Sequence, residues 1–410
     1  MGENESMNIL ILASEYPYEK DTNADRTKVV GYFAKEWVKQ GHRVIAIVDS
    51  STFPAAYYAV GDKVKGLVSK TFDVSRTPDR LWTKRFAYDE FGVHVENIPI
   101  TKYVPHGKFS KEALDKQLKE IVTVLENNRF VPDVVTGHWV NPQIMLVPRI
   151  AKRHDAKSAF VFHADYGKEN CEKFGVQKYI DQIDHIGFRS QSAVEAAKGY
   201  LHFKEEPFVA ASGIPDRFIE RLQGENTKSF ENPISIISAG RLVEYKMLDV
   251  ALAAAAKAFD GSDYDFVVAG DGPMKAKLQN YIDTNNQQKY MHLLGRIDRD
   301  ELQKRMHESQ VFVLISKHET FGLVYLEAML QGCIVIASKF GGVDGIIRDG
   351  ENGFLCEEGN EQELIHIFNR INGLTKEEKQ KLSQNAVTTA KRFSESDVAK
   401  RYLENITGEL

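Results

Sequence analysis

Short apolar runs alternate with amphipathic stretches along almost the whole chain. MNILILAS (Met7–Ser14) is continuously apolar, as a strand buried on both faces should be. A polar loop leads into VVGYFAKEWVKQG, whose apolar positions recur at helical spacing, and HRVIAIVDS returns as a strand. The pattern continues through the strand VHVENIPI, a helix from Lys111 to about Asn127, the strand DVVTGH, a helix near Ile144–Arg153 and the strand SAFVFHAD. HIGFRS and PFVAASGIP, the latter beginning at Pro207, close this half. Strand and helix in strict alternation predict α/β architecture with parallel sheets.

LQGENTKSFENP (Leu222–Pro233) interrupts the rhythm with polar and turn-forming residues, as expected of a surface connector between units. The pattern then restarts: ISIISAGRL, DVALAAAAKAF, DFVVAGDGP, MKAKLQNYIDT, MHLLGRI, RDELQKRMHES, VFVLIS, HETFGLVYLEAMLQG and CIVIAS alternate strand with helix. Two α/β domains are predicted, 1–221 and one starting at 222, and no sequence repeat relates them. A length of 410 residues agrees, being too great for one ordinary core.

Composition adds exclusions. With 42% hydrophobic and 27% charged residues the chain reads as a soluble globular protein. A net charge of −5 argues against gripping nucleic acid. Cys171, Cys333 and Cys356 are far apart and form neither a metal-binding spacing nor a disulfide framework, which predicts a reducing cytoplasm. MGENES ahead of Met7 is polar and reads as no signal peptide, and no apolar run approaches the roughly 20 residues a membrane-spanning helix needs. In Ser51–Phe91, PAAYY and RLWTKRF interleave aromatic and basic residues. Two readings stand: a membrane-surface or acceptor patch, or an insertion that packs its aromatics inward.

The chemistry-bearing residues of the second half fall where strands end, which is where open α/β sheets bind ligands. Gly240-Arg241 ends one strand and Lys246 follows five positions later, as the next helix begins; Gly270 and Gly272 lie in AGDGP; Arg296 lies in LLGRI; Lys317-His318-Glu319 ends VFVLIS. Arg241 and Lys246 together suit a phosphate-bearing anion. A helix is expected from about Phe321 with Thr320 as its N-cap. Its N–H groups at Phe321–Leu323 and roughly half a positive charge would add to that anion site, and Gly322 would allow close approach of a ligand. Glu327, about two turns in, would reach back toward the anion, and a carboxylate that only accepts hydrogen bonds fits the paired hydroxyls of a ribose. Glu319 would face a second polyol beyond the phosphates. Phosphate plus two polyols describes a nucleotide diphosphate sugar.

These residues resemble family 4 of the retaining glycosyltransferases, through Glu319 and Glu327 of HETFGLVYLEAM, GRLVEYK, GDGP, LLGRI and DGENGFL. The resemblance implies the GT-B fold: two Rossmann-like domains with parallel sheets facing across a central cleft. The first, 1–221, would bind the acceptor and the second, 222–390, the nucleotide sugar; residues 391–410, containing RFSESDVAKRYLENI, would form a helix crossing back to the first. It further implies His163 in VFHAD as the residue near the donor sugar, with His138 and Asp165 in weaker roles, Ser190 in FRSQS at a strand end, and ASGIPDRF as the hinge. Two departures are visible. No glycine pair follows the first strand, where EYPYEKDTNADRTK stands, and GGVDGII has Gly345 where a glutamate is common.

The activity so implied is transfer of a hexose or N-acetylhexosamine, with retention, from a nucleotide diphosphate sugar (UDP as the first guess) to a glycan or lipid-linked acceptor in cell-surface polysaccharide synthesis. Arg241, Lys246, Glu319 and His163 would be catalytic, with no cofactor. Asp298-Arg299-Asp300 is the one Asp-x-Asp pair considered as a metal site, but it opens a helix and reads better as a cap, so a metal-free site is expected. The location expected is cytoplasmic, with peripheral contact at the inner membrane face. Three other readings stand: a nucleotide-sugar epimerase of the same fold, a non-catalytic partner subunit, and a nicotinamide oxidoreductase. The last rests on GDGPMK, whose Lys275 replaces the third glycine of the dinucleotide fingerprint.

Overall fold

The computed structural model describes residues 6–20, 27–60, 80–103, 107–163, 166–222, 228–317 and 319–408. The chain divides into two compact units. One comprises Met1–Arg189, Val194–Ala210 and Val398–Leu410, the other Ser190–Ala193 and Ala211–Asp397.

The first unit holds β1 (Asn8–Ala13), β2 (Arg43–Val48), β3 (Ser51–Thr52), β4 (Phe86–Glu90), β5 (Val93–Asn97), β6 (Ile100–Thr101), β7 (Val134–His138), β8 (Lys157–Phe162), β9 (His185–Phe188) and β10 (Phe208–Val209). Among the described residues eight of these form one sheet in the order β10-β9-β8-β7-β1-β2-β5-β4. It is parallel except where the edge strand β4 runs antiparallel to β5. The central strands are almost wholly buried, which is why they read as unbroken apolar runs. VHVENIPI is not one strand. Pro99 cannot donate a ladder hydrogen bond, and the chain splits into β5 in the main sheet and β6 in a two-stranded pair with β3. PFVAASGIP keeps only Phe208–Val209 as strand.

The second unit contains β11 (Ile234–Ala239), β12 (Tyr264–Ala269), β13 (Met291–Gly295), β14 (Val311–Leu314), β15 (Ile334–Ser338) and β16 (Phe354–Cys356). They form a parallel sheet in the order β13-β12-β11-β14-β15-β16. Strand order reverses between β11 and β14, the switch point at which loops diverge and leave a crevice.

The connector expected to lie on the surface is partly interior. Lys228 is 6% exposed and donates to the carbonyls of Met306 (2.7 Å) and Ser309 and to Cys333 Sγ (3.5 Å), while Phe230 is also buried. Polar composition marks the stretch as a loop but cannot show that its lysine caps the carbonyls ending the Arg299–Glu308 helix. Nearby, Ile214 and Ser394 form a bridge, and a side chain on Gly213 would meet the Glu395 backbone at 2.5 Å.

The Glu395–Thr407 helix carries its later residues into the first unit. Trp37 Nε1 donates to the Ala399 carbonyl at 2.8 Å, and the Tyr402 hydroxyl lies 2.7 Å from Thr136 Oγ1 and 3.3 Å from His138 Nε2. Trp37, Thr136, His138 and Tyr402 are all essentially inaccessible. Of the aromatic-basic segment, Trp82 is 2% exposed and packs with Tyr18 and Phe86, leaving Lys84 and Arg85 outward. The inward-packing reading is the one observed there.

Removing the buried hydroxyl in Tyr402→Phe leaves Thr136 and His138 each short of a hydrogen-bond partner in the interior. A loss of about 1–3 kcal/mol is expected, read as a lowered Tm by calorimetry.

Candidate functional site

The second unit's site begins with backbone against backbone at the strand ends. A side chain on Gly270 would meet the Gly240 carbonyl oxygen at 1.8 Å, and one on Gly272 the Leu242 carbonyl oxygen at 2.5 Å. Gly240 N–H donates to Ala269 O and Gly270 N–H to Gly295 O, so the ends of β11, β12 and β13 are joined edge to edge. Leu242 N–H donates to Asp271 O and its carbonyl accepts from Met274 N–H, tying the next layer of the same loops. Only glycine tolerates such closeness, which accounts for GDGP at this point.

Lys246 does not open the next helix, as the sequence pattern suggested. It ends a short turn, Glu244–Lys246, and Met247 in the left-handed region separates it from the Leu248–Ala258 helix. That detour returns its aliphatic stem over Gly240, where a Cβ would lie 3.9 Å from Lys246 Cε. Across the switch point, Lys317 N–H donates to Tyr245 O at 2.8 Å, and Lys246 Nζ forms an ion pair with Glu319. Both side chains are largely covered, at 13% and 15% exposure. Arg241, on the loop leaving β11, is exposed, as are Arg296 beyond β13 and Thr320.

The helix after β14 runs Leu323–Leu330 and starts later than Phe321. Its N-cap is Gly322 at φ 74°, with no side-chain cap, in place of Thr320. The reason is steric: a Cβ at Gly322 would lie 2.3 Å from Tyr325 and 3.0 Å from Glu319, so the left-handed turn belongs to this glycine. Phe321 is buried, and Gly342 packs directly on its backbone.

Glu327 departs most from the sequence reading. Its carboxylate is buried and already held by protein donors: Arg299 Nε (3.0 Å) and Nη2 bind Oε1, and Gln303 Nε2 (3.0 Å) binds Oε2. Gln331 donates in turn to Gln303. Burial raises the Glu327 pKa while the Arg299 guanidinium beside it lowers it. The acceptor-only carboxylate therefore finds a guanidinium on the preceding helix, and no pair of hydroxyls is needed to satisfy it. Arg299 and Gln303 are site residues that the sequence did not reveal, because they lie on another element. In the sequence Arg299 reads only as the spacer of Asp-x-Asp. In that motif Asp298 accepts from Glu301 N–H at 2.8 Å as the helix N-cap, and Asp300 pairs with Arg221 at 2.6 Å.

The candidate residues of the first unit form a separate chain of contacts. His163, half-buried, stacks on Trp139 with centroids 4.2 Å apart, and its Nε2 lies 2.9 Å from Nδ1 of His138. His138 continues the chain to Tyr402 and Thr136. Burial lowers both histidines, His138 to about 3, with Arg189 nearby as a further cause. Ser190, assigned to the second unit, accepts from Ala193 N–H, and Ser192 donates to Gly341 O at 3.0 Å. Asp165 and His318 lie outside the described residues.

Residues 220–389 match the family model for glycosyl transferases group 1. An uncharacterized glycosyltransferase of Methanocaldococcus jannaschii is 28% identical over 66% of this chain and 67% of its own. The phosphatidylinositol N-acetylglucosaminyltransferase GPI3 subunit of Saccharomyces cerevisiae is 25% identical over 61% of this chain, which spans only 57% of that relative's length. In architecture the chain resembles HepE of Anabaena, solved in complex with UDP and glucose, with a TM-score of 0.61, 17% identity and coverage of 98% and 100% of the two chains.

Two outcomes follow from the geometry. Arg299→Leu strands the Glu327 carboxylate with Gln303 alone and should cost about 3 kcal/mol in a denaturant titration, the lower end for a broken buried pair because Arg299 is partly exposed. For His138, an unfolded imidazole takes up its proton near pH 6.5 and the folded one only near 3. The unfolded state thus binds more protons between those values, and this group's contribution to stability is lost as pH falls through that window. Imidazole NMR of the native protein should show His138 neutral well below pH 6.5.

Proposed function

We propose, from the premise that this chain is a glycosyltransferase with a group 1 domain on the GT-B fold, that it moves a hexose or N-acetylhexosamine with retention from a nucleotide diphosphate sugar. UDP is the nucleotide we favour, because HepE of Anabaena was solved with it. The acceptor we favour is a glycan or lipid-linked glycan of cell-surface polysaccharide synthesis. A relative named for N-acetylglucosaminyl transfer to phosphatidylinositol supports a lipid-linked acceptor.

The observation that carries this reading is the Lys246–Glu319 ion pair at the switch point, with Arg241 on the same loop and the glycine contacts beneath. A lysine whose stem lies beside Gly240 at a strand end supports the diphosphate reading, and the nearby carboxylate supports contact with sugar hydroxyls. Negative charge grows on the leaving diphosphate as the C1–O bond breaks, and Arg241, Lys246 and the amides of Phe321–Leu323 would stabilise it. The carboxylates of Asp298 and Asp300 are committed to a helix cap and to Arg221, which supports a mechanism without a metal at that pair. Glu327 would act on the donor indirectly, by fixing its helix through Arg299. Lys84, exposed beside the buried Trp82, supports contact of this stretch with a membrane face through charge. No helix among the described residues is long and apolar enough to span a membrane.

A charge-assisted hydrogen bond contributes roughly 1.5–3 kcal/mol, and about 1.4 kcal/mol is tenfold in rate. Arg241→Ala and Lys246→Ala should each lower turnover about ten- to hundredfold at saturating UDP-sugar, with the fold intact by circular dichroism. Near-native turnover in both would refute the assignment.

A further inference from the structure

A cavity of about 430 Å³ lies in the first unit, beyond the carboxyl end of β5, and nothing in the donor reading uses it. Its floor is apolar, from Ile98, Pro99 and Ile100, and the first turns of the Lys111–Asn127 helix form a wall. The volume lies within the range of small-molecule sites, about 300–1,000 Å³.

The polar groups of this cavity are built in. Gln117, 3% exposed, donates through Nε2 to Asp49 Oδ1 at 2.6 Å and to Ile98 O at 3.0 Å, so its amide orientation is fixed and Oε1 is its remaining hydrogen-bonding atom. Asp49 is inaccessible, and burial lifts its carboxyl to about 7 against the opposing pull of Gln117 and Gln143. Asn97, equally buried, donates to the carbonyls of Trp82 and Lys84 and so holds the turn that carries Arg85. Arg85 in turn pairs with Glu120 at 2.5 Å.

The charge balance selects the ligand class. Two cations, Arg85 and Lys116, face two carboxylates, Glu112 and Glu120. The Glu112 carboxyl is held below its ordinary pKa by its own N–H and the Ser110 hydroxyl, so it stays ionised. An anion would meet two carboxylates and a cation two basic groups, while an apolar ligand would use none of the four. A neutral polyol can donate to Glu112, Glu120 and Gln117 and accept from Lys116 and Arg85. Its apolar face can lie on Ile98 and Ile100, and Tyr103 lines the same cavity.

We propose that this cavity is a binding subsite for a neutral glycan, distinct from the nucleotide-sugar site. The position rests on the cavity alone. Its service to an acceptor rests on the transferase reading above.

Saturation-transfer NMR on the full chain tests it, with maltose and N,N′-diacetylchitobiose as neutral probes and glucose 6-phosphate and glucosamine as charged controls. UDP binding is followed separately by calorimetry. The neutral probes should bind in preference to both controls. Glu112→Gln/Lys116→Ala, both positions exposed, should weaken them about ten- to hundredfold with UDP affinity unchanged. Three results would overturn the subsite: no neutral probe binding up to its solubility, binding undiminished in the double variant, or a charged control binding as well as the neutral sugars. Failure of UDP to bind the native chain would instead count against the donor reading, leaving the sugar result to decide the subsite by itself.

Discussion

Where β11 and β12 end, two stretches of backbone come so close that no side chain can stand between them, and the second unit's site is arranged around that closeness. Gly270 over the Gly240 carbonyl and Gly272 over Leu242 bring two loops to a common level. Only then can the short turn after Arg241 double back and set Lys246 across the switch point from Glu319. The cation is placed by main chain, which has few soft degrees of freedom, and so is preorganised at little cost in side-chain entropy. The left-handed turn at Gly322 does the same for the facing helix.

Charge neutrality is the second constraint. Both glutamates eight positions apart in HETFGLVYLE are partnered within the protein, Glu319 by Lys246 and Glu327 by Arg299 with Gln303. The two pairs differ in kind. Glu327 has an extra amide donor and is nearly inaccessible, so opening it would leave a buried charge unpaired. Glu319 and Lys246 retain some exposure, so opening that pair would leave neither group wholly shut off from water. One pair is buried ballast for the helix; the other sits at the edge of solvent.

The elements were legible because their cause is local. Strands buried on both faces must be apolar throughout, and MNILILAS, VFVLIS and CIVIAS declare themselves by that rule. The strand-end position of Arg241, Lys246 and Glu319 follows from the same pattern. What stayed hidden is what depends on a distant partner. Nothing in LVYLEAML says that Glu327 will meet Arg299, 28 positions earlier on another helix. Lys228 sits among polar residues yet is interior, and Thr320 looks like a cap until the contact between Gly322 and Tyr325 is seen. Asp49, Asn97 and Gln117 pass as ordinary polar residues in the sequence and prove to be buried hydrogen-bonding posts.

The path of the chain between its units also bears on how the protein is made. The segments Ser190–Ala193 and Val398–Leu410 each belong to the unit that their sequence neighbours do not. Trp37 and Thr136 therefore wait for Ala399 and Tyr402, residues translated hundreds of codons later. As the nascent polypeptide leaves the ribosome, the second unit can gather its sheet while the first still lacks a wall of its core. Although it emerges first, the amino-terminal half is the last to be completed.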